Sequence, residues 1–159
     1  MRVVLDTNII VSALVALGGK PAAIVRVWLN GKFTLLTCSA HVDELRATLC
    51  KSRVAELIKP YKAGRPVNQV RKLAEDIHPL PRVERSPDPT DDFLLAMSEG
   101  GKADYLMTGD KSGLLALDRH KIHVDRFRWR IRRALCMNPK PFTEGASAVF
   151  HTTAHCIII

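Results

Sequence analysis

Apolar residues run without alternation through RVVL, Arg2 to Leu5, and stop at Asp6. A short β-branched run of this kind reads as a strand buried on both faces. NIIVSALVALGG, residues 8–19, switches to helical spacing and closes on Gly18 and Gly19. Pro21 opens a second helical stretch that closes at Gly31. FTLLTC, Phe33 to Cys38, is a second apolar strand, and Ser39 is the predicted N-cap of AHVDELRATLCK. Residues 53–76 have a solvated helical pattern with breaks predicted near Pro60 and at Gly64–Pro66. IHPLP is predicted to hold a short strand, SPDPTDD is loop chemistry, and FLLAMSEGG is a helix ending in two glycines. DYLMTGD is a third clear strand, LLALDRH a short helix and KIHV a last strand. Strands alternating with helices predict an α/β fold, three layers deep (α/β/α), around a mostly parallel sheet of about five strands.

Composition adds little to this picture except at the end of the chain. The 159 residues are 47% hydrophobic and 25% charged, an ordinary globular balance for one domain. Only 6% are aromatic, so the core is aliphatic, with Trp28, Phe33 and Tyr105 reading as core rather than as a stacking platform for bases. The formal net charge is +8. Residues 1–120 contribute +3 and residues 121–159 contribute +5, so the excess is concentrated in the last quarter. A basic balance suits a polyanionic partner without naming it. Cys38, Cys50, Cys136 and Cys156 form no CxxC pair and read as reduced thiols, as expected of a cytoplasmic protein. Asp6 and Asn8 interrupt the first apolar run too early for a signal peptide, and no run reaches the roughly 20 residues of a membrane helix.

The candidate chemistry is acidic. In an open parallel α/β sheet, ligands sit beyond the carboxyl ends of the strands. Asp6 ends the first strand, Asp110 ends DYLMTGD, Asp91 and Asp92 open the helix before it, and Glu44 lies in the first turns of the helix after the second strand. Singly, each has an ordinary reading: a cap, a turn residue, a helix-dipole acid or a solvated face, with Asp43 as the control for Glu44. Together they share one predicted edge. Converging carboxylates repel one another, and a hard divalent cation such as Mg²⁺ or Mn²⁺ relieves the conflict.

These segments are also those of a known family. VVLDTNIIVSAL, LLTCSAHVDELRATL, SPDPTDDFLLAMSEGGKADYLMTGD and LLAL, in that order from residue 2 to about 118, resemble the PIN-domain family of metal-dependent ribonucleases. The likeness is to the branch that serves as toxins of toxin–antitoxin pairs. It implies a PIN-like domain over residues 1–124, with Asp6, Glu44, Asp91 and Asp110 as metal-binding, catalytic carboxylates. Thr7, Asn8, Asp92 and Thr108 would support them, and Asp88 would have a loop role. It further implies Mg²⁺ or Mn²⁺ as cofactor, an RNA substrate cut to a 5′-phosphate and a 3′-hydroxyl, an antitoxin partner and dimerisation. RNA contacts are expected from Lys51, Arg53, Arg82 and Arg85, and His41 reads as a surface helix residue with no part in the chemistry.

The resemblance fails at the end. Residues 125–159 form a basic, atypical segment with five arginines between Arg126 and Arg133 and a final run of three Ile. The abrupt loss of pattern favours an end altered by a change of reading frame over an RNA-binding element. The tail has no evident place in the sheet, and its single cluster of His151, His155 and Cys156 lacks the supporting motif of a zinc site. Three other functions compete. A haloacid-dehalogenase-type phosphohydrolase wants a second Asp where Asn8 stands, and a dinucleotide-binding protein wants a Gly-rich first turn that is absent. A catalytically inactive PIN-fold module that binds RNA or protein is the main alternative.

Overall fold

The computed structural model describes residues 1–58, 60–109, 114 and 155–157, with 60–63 and 155–157 described by their backbone alone. Its elements, in chain order, are β1 (Arg2–Leu5), α1 (Thr7–Val15), α2 (Lys20–Leu29), β2 (Thr34–Thr37), α3 (Ser39–Leu49), α4 (Ser52–Ala55), α5 (Pro60–Leu73) and β3 (Glu75–Asp76). A 3₁₀ turn (Pro89–Asp91), α6 (Asp92–Gly100), β4 (Tyr105–Thr108) and β5 (His155–Ile157) follow. The strand order is β3-β2-β1-β4-β5, with β1 central. The first four strands are parallel, Val3 lying against Leu35 on one side and against Tyr105 on the other.

The unalternated strands are explained by the two layers that cover them. Val3, Leu5, Leu35, Tyr105 and Met107 face a core shared with residues of α1, α3 and α5. Val4, Leu36 and Leu106 face the opposite core, built with Leu94, Leu95 and Met97 of α6. Successive residues point to opposite faces of a sheet, so covering both faces makes every strand position apolar. Trp28, Phe33 and Tyr105 are buried, as expected. Among the described residues no single helix is long and apolar enough to cross a membrane.

Four local expectations are corrected. The N-cap of α3 is Cys38 rather than Ser39: its Sγ accepts from the His41 N–H at 3.4 Å. The helical stretch does break just before Pro60, α4 ending at Ala55 and α5 starting at Pro60, but the second break expected at Gly64–Pro66 is absent and α5 runs on to Leu73. Pro60 is its first residue, where the absent N–H costs nothing. Pro66 removes one internal bond, but the buried Val67 and Val70 seat the helix in the core. The short strand placed in IHPLP lies just before it, at Glu75–Asp76, paired with Leu36 and Thr37. The tail, which had no evident place in the sheet, contributes β5, antiparallel to β4. Of the predicted LLALDRH helix, Leu114 is described, helical and buried. The predicted KIHV strand and the arginine cluster lie outside the described residues.

Candidate functional site

The order of the sheet reverses between β1 and β4, the neighbours on which two separate crossovers meet. Such a switch point opens a crevice at the carboxyl ends of the strands. Asp6 follows β1 there, and Thr108 ends β4 beside it. The Thr108 hydroxyl donates to Asp6 Oδ2 at 2.5 Å, and the Asn8 N–H donates to Oδ1 at 2.9 Å. Asp6 is 5% exposed and Thr108 is fully buried. The second bond makes Asp6 the N-cap of α1, so the positive end of that helix also favours its charge. Burying a carboxylate is costly without such partners. A carboxylate has about four acceptor sites, and these two bonds leave roughly half of them.

Glu44 reaches the same corner. Thr7, the residue after Asp6, donates its hydroxyl to Glu44 Oε2 at 2.5 Å. Asp43, its sequence neighbour, points instead to solvent and pairs with Arg46 at 3.8 Å. Glu44 is thus distinguished from an ordinary solvated helix acid, and Thr7 and Thr108 each orient one carboxylate.

The remaining acids are placed differently. Asp91 is the N-cap of α6, and its side chain makes no capping bond to that helix. Asp92 turns toward the preceding loop, where Oδ1 accepts from the N–H groups of Arg85 (3.0 Å) and Ser86 (2.8 Å). It is therefore a clamp on the loop before α6. Asp88 caps the 3₁₀ turn, accepting from the Thr90 N–H at 2.9 Å and its hydroxyl at 2.7 Å, the loop role expected of it. Asp110 lies outside the described residues.

Among the described residues, no group of three or more His, Cys, Asp or Glu is gathered closely enough to hold a metal ion. Asp6 and Glu44 are connected through Thr7, the residue after Asp6, whose hydroxyl holds Glu44. In kind this donor set fits a hard divalent cation: carboxyl oxygen donors, and no ion pair to Lys or Arg for either acid among the described residues.

The basic candidates are dispersed. Arg82 and Arg85 are exposed, but Arg82 pairs with Glu84 at 2.6 Å and Arg85 with Glu99. Lys51 and Arg53 are exposed beyond the C-terminal end of α3, about 10 Å along the helix direction from Glu44 at 1.5 Å per residue.

His41 is the residue that sequence reasoning misplaced. It is fully buried rather than on the surface. Its Nδ1 lies 3.2 Å from the Thr37 hydroxyl at the end of β2, and its ring centroid is 6.1 Å from that of Phe93. Burial pushes its pKa down to about 4, against a weak opposing pull from the Leu5 backbone, so the ring is neutral at pH 7. A signal was present in the spacing. His41, Leu45 and Leu49 recur at four-residue intervals, all on the buried stripe of α3.

The fold and this corner define a doubly covered parallel α/β protein with acids at its switch point. A family model for the PIN domain matches residues 2–112, and the chain belongs to the PIN-domain family. PIN domains are generally nucleases and typically use divalent metal ions. Comparison with curated proteins and with solved structures finds no match.

Proposed function

We propose that the chain is a metal-dependent endoribonuclease that hydrolyses RNA phosphodiester bonds, acting as the toxin of a type II toxin–antitoxin pair. The observation that carries this reading is the Asp6–Thr7–Glu44 corner at the switch point of a PIN domain. Asp6, Glu44, Asp91 and Asp110 are the proposed ligands of Mg²⁺ or Mn²⁺. When bound, such an ion supplies a water of lowered pKa and neutralises charge on the phosphate. The chain's own contribution is preorganisation. Thr108 and the Asn8 N–H fix the two oxygens of Asp6, and Thr7 fixes one oxygen of Glu44, so neither carboxylate must be ordered on binding. Asp92 holds the loop that leads into the first turn of α6 and hence the approach to Asp91. Water is the nucleophile, and the buried, neutral His41 takes no proton in the reaction. RNA, an antitoxin and a second copy of the chain are the proposed partners, in the cytoplasm.

The test is cleavage of a mixed RNA pool with Mn²⁺ or Mg²⁺, run beside EDTA and beside Asp6→Asn. Cleavage that needs the metal and disappears in the variant supports the reading. The second reading is a catalytically inactive PIN-fold module that binds RNA or protein. Folded protein that binds RNA without cutting it, in any metal, would replace the first reading with the second.

A further inference from the structure

His41 stands where the acid-bearing elements meet. It is in the first turn of α3, three residues before Glu44, and its backbone N–H is held by Cys38 Sγ at 3.4 Å. Its Nδ1 meets the Thr37 hydroxyl at the carboxyl end of β2. The Leu5 backbone, immediately before Asp6, lies close enough to act on the ring. Phe93, two residues after Asp91, packs against it with the ring planes tilted by 31°. Yet Nε2 is buried with no hydrogen-bond partner of good geometry among the described residues. For packing alone this is a poor choice. A leucine would fill a similar volume beside Leu45 without burying a nitrogen whose hydrogen bonding is poorly formed, and buried polar groups are ordinarily well paired. Local departures of this kind concentrate where function constrains a fold.

We propose that His41 is a positioning residue that sets Asp6, Glu44 and Asp91 relative to one another. Its imidazole spans the ends of β1 and β2 and the first turn of α6, while its own helix carries Glu44. This role rests on the metal-nuclease reading for its purpose but not for its physical test. Partners that orient metal-binding carboxylates affect affinity even though they touch no metal.

The test uses the full chain with His41→Leu and His41→Asn. Three quantities are measured: the melting temperature, Mn²⁺ affinity by calorimetry, and exchange of the Asn8 amide, whose hydrogen bond to Asp6 reports the placement of that carboxylate. The expected result for His41→Leu is a melting temperature equal to or above that of the wild type. Mn²⁺ dissociation constants should rise about tenfold, and Asn8 exchange should quicken selectively by a similar factor. If the leucine variant does not fold, His41→Asn, which keeps a polar group near Thr37, is held to the same two criteria. A folded variant with wild-type Mn²⁺ affinity and wild-type Asn8 exchange overturns the proposal and leaves His41 a packing residue. Asp6→Asn separates this failure from failure of the nuclease reading. If wild type binds no Mn²⁺, or Asp6→Asn binds it equally well, the metal reading fails and the Asn8 exchange alone decides for or against His41.

Discussion

Asp6 illustrates how one residue can satisfy two demands. Its carboxylate ends a buried strand because Asn8, Thr108 and the start of α1 compensate its charge. Thr108→Val keeps the shape of the side chain but removes the donor, leaving a buried carboxylate oxygen short of a partner. The expected cost is about 1–3 kcal/mol of unfolding free energy, read by urea titration. No loss would mean that solvent or another group replaces the hydroxyl. His41 carries the pH dependence. Its folded pKa is depressed to about 4, so the unfolded chain binds the proton more tightly. The stability tied to the neutral ring is fully present above the unfolded value of about 6.5 and is lost as pH falls from there through about 4. The expected loss across that window is about 3 kcal/mol, and it should vanish in a folded His41→Leu variant measured in parallel. Equal pH dependence in both proteins would assign the effect to other groups. The sequence made Asp6 legible, since a polar residue interrupting an apolar run is conspicuous, whereas Glu44, next to Asp43 on an ordinary helix, stood out only by its place in the first turns after the second strand and by the family resemblance. It misjudged His41 because burial there depends on α6 and Phe93 closing over the start of α3, a tertiary fact that the local pattern only hints at.

At the scale of elements, strands and helices were legible wherever apolar periodicity was strong, and their boundaries where the turn chemistry was simple. The end of α2 is such a case. Gly31 adopts φ +69, its N–H bonds the Trp28 carbonyl at 2.7 Å, and the Lys32 N–H bonds the Val27 carbonyl at 3.2 Å. That is the paired bonding of a Schellman C-cap, which favours glycine at the left-handed position. The close of α6 uses glycine for a different reason. A Cβ at Gly101 would stand 2.5 Å from Leu36 Cδ1 and 2.8 Å from the Met97 carbonyl oxygen, whereas one at Gly31 would meet nothing within 4 Å. Gly31→Ala should therefore cost about 1 kcal/mol through the backbone alone, and Gly31→Asn less. Gly101→Ala should cost about 1–3 kcal/mol through overpacking, with Asn no better. Denaturant titration of the four variants checks this, and a rescue by Asn at Gly101 would refute the steric account. The elements that were misread have competing local rules. Pro66 and Gly64 argue for a break, but the buried Val67 and Val70 hold α5 together, and β3 is only two residues long, too short to leave a pattern.

For the whole molecule, the central question is whether the carboxyl edge of the sheet is built to hold a cation. A ligand that binds the folded state alone stabilises it by mass action, by about 2.7 kcal/mol when its free concentration is a hundredfold above the dissociation constant. For a chain of this length that corresponds to a rise in melting temperature of about 5–10 °C. Adding Mn²⁺ to EDTA-treated protein should therefore raise the midpoint in a saturable way, without RNA present and independently of any cleavage assay. Asp6→Asn is the informative control because asparagine is as good an N-cap as aspartate, so α1 keeps its cap while the site loses a charge. The variant should melt near the metal-free wild type and respond little to Mn²⁺. Glu44→Gln should reduce the response as well, since Thr7 ties that carboxylate to the same corner. If wild type melts at one temperature in EDTA, Mg²⁺ and Mn²⁺ alike, the pair Asp6 and Glu44 serves the fold rather than a metal, and the binding-module reading gains. If the shift appears in wild type and persists in Asp6→Asn, a cation binds elsewhere on the molecule, and the switch point is not its site.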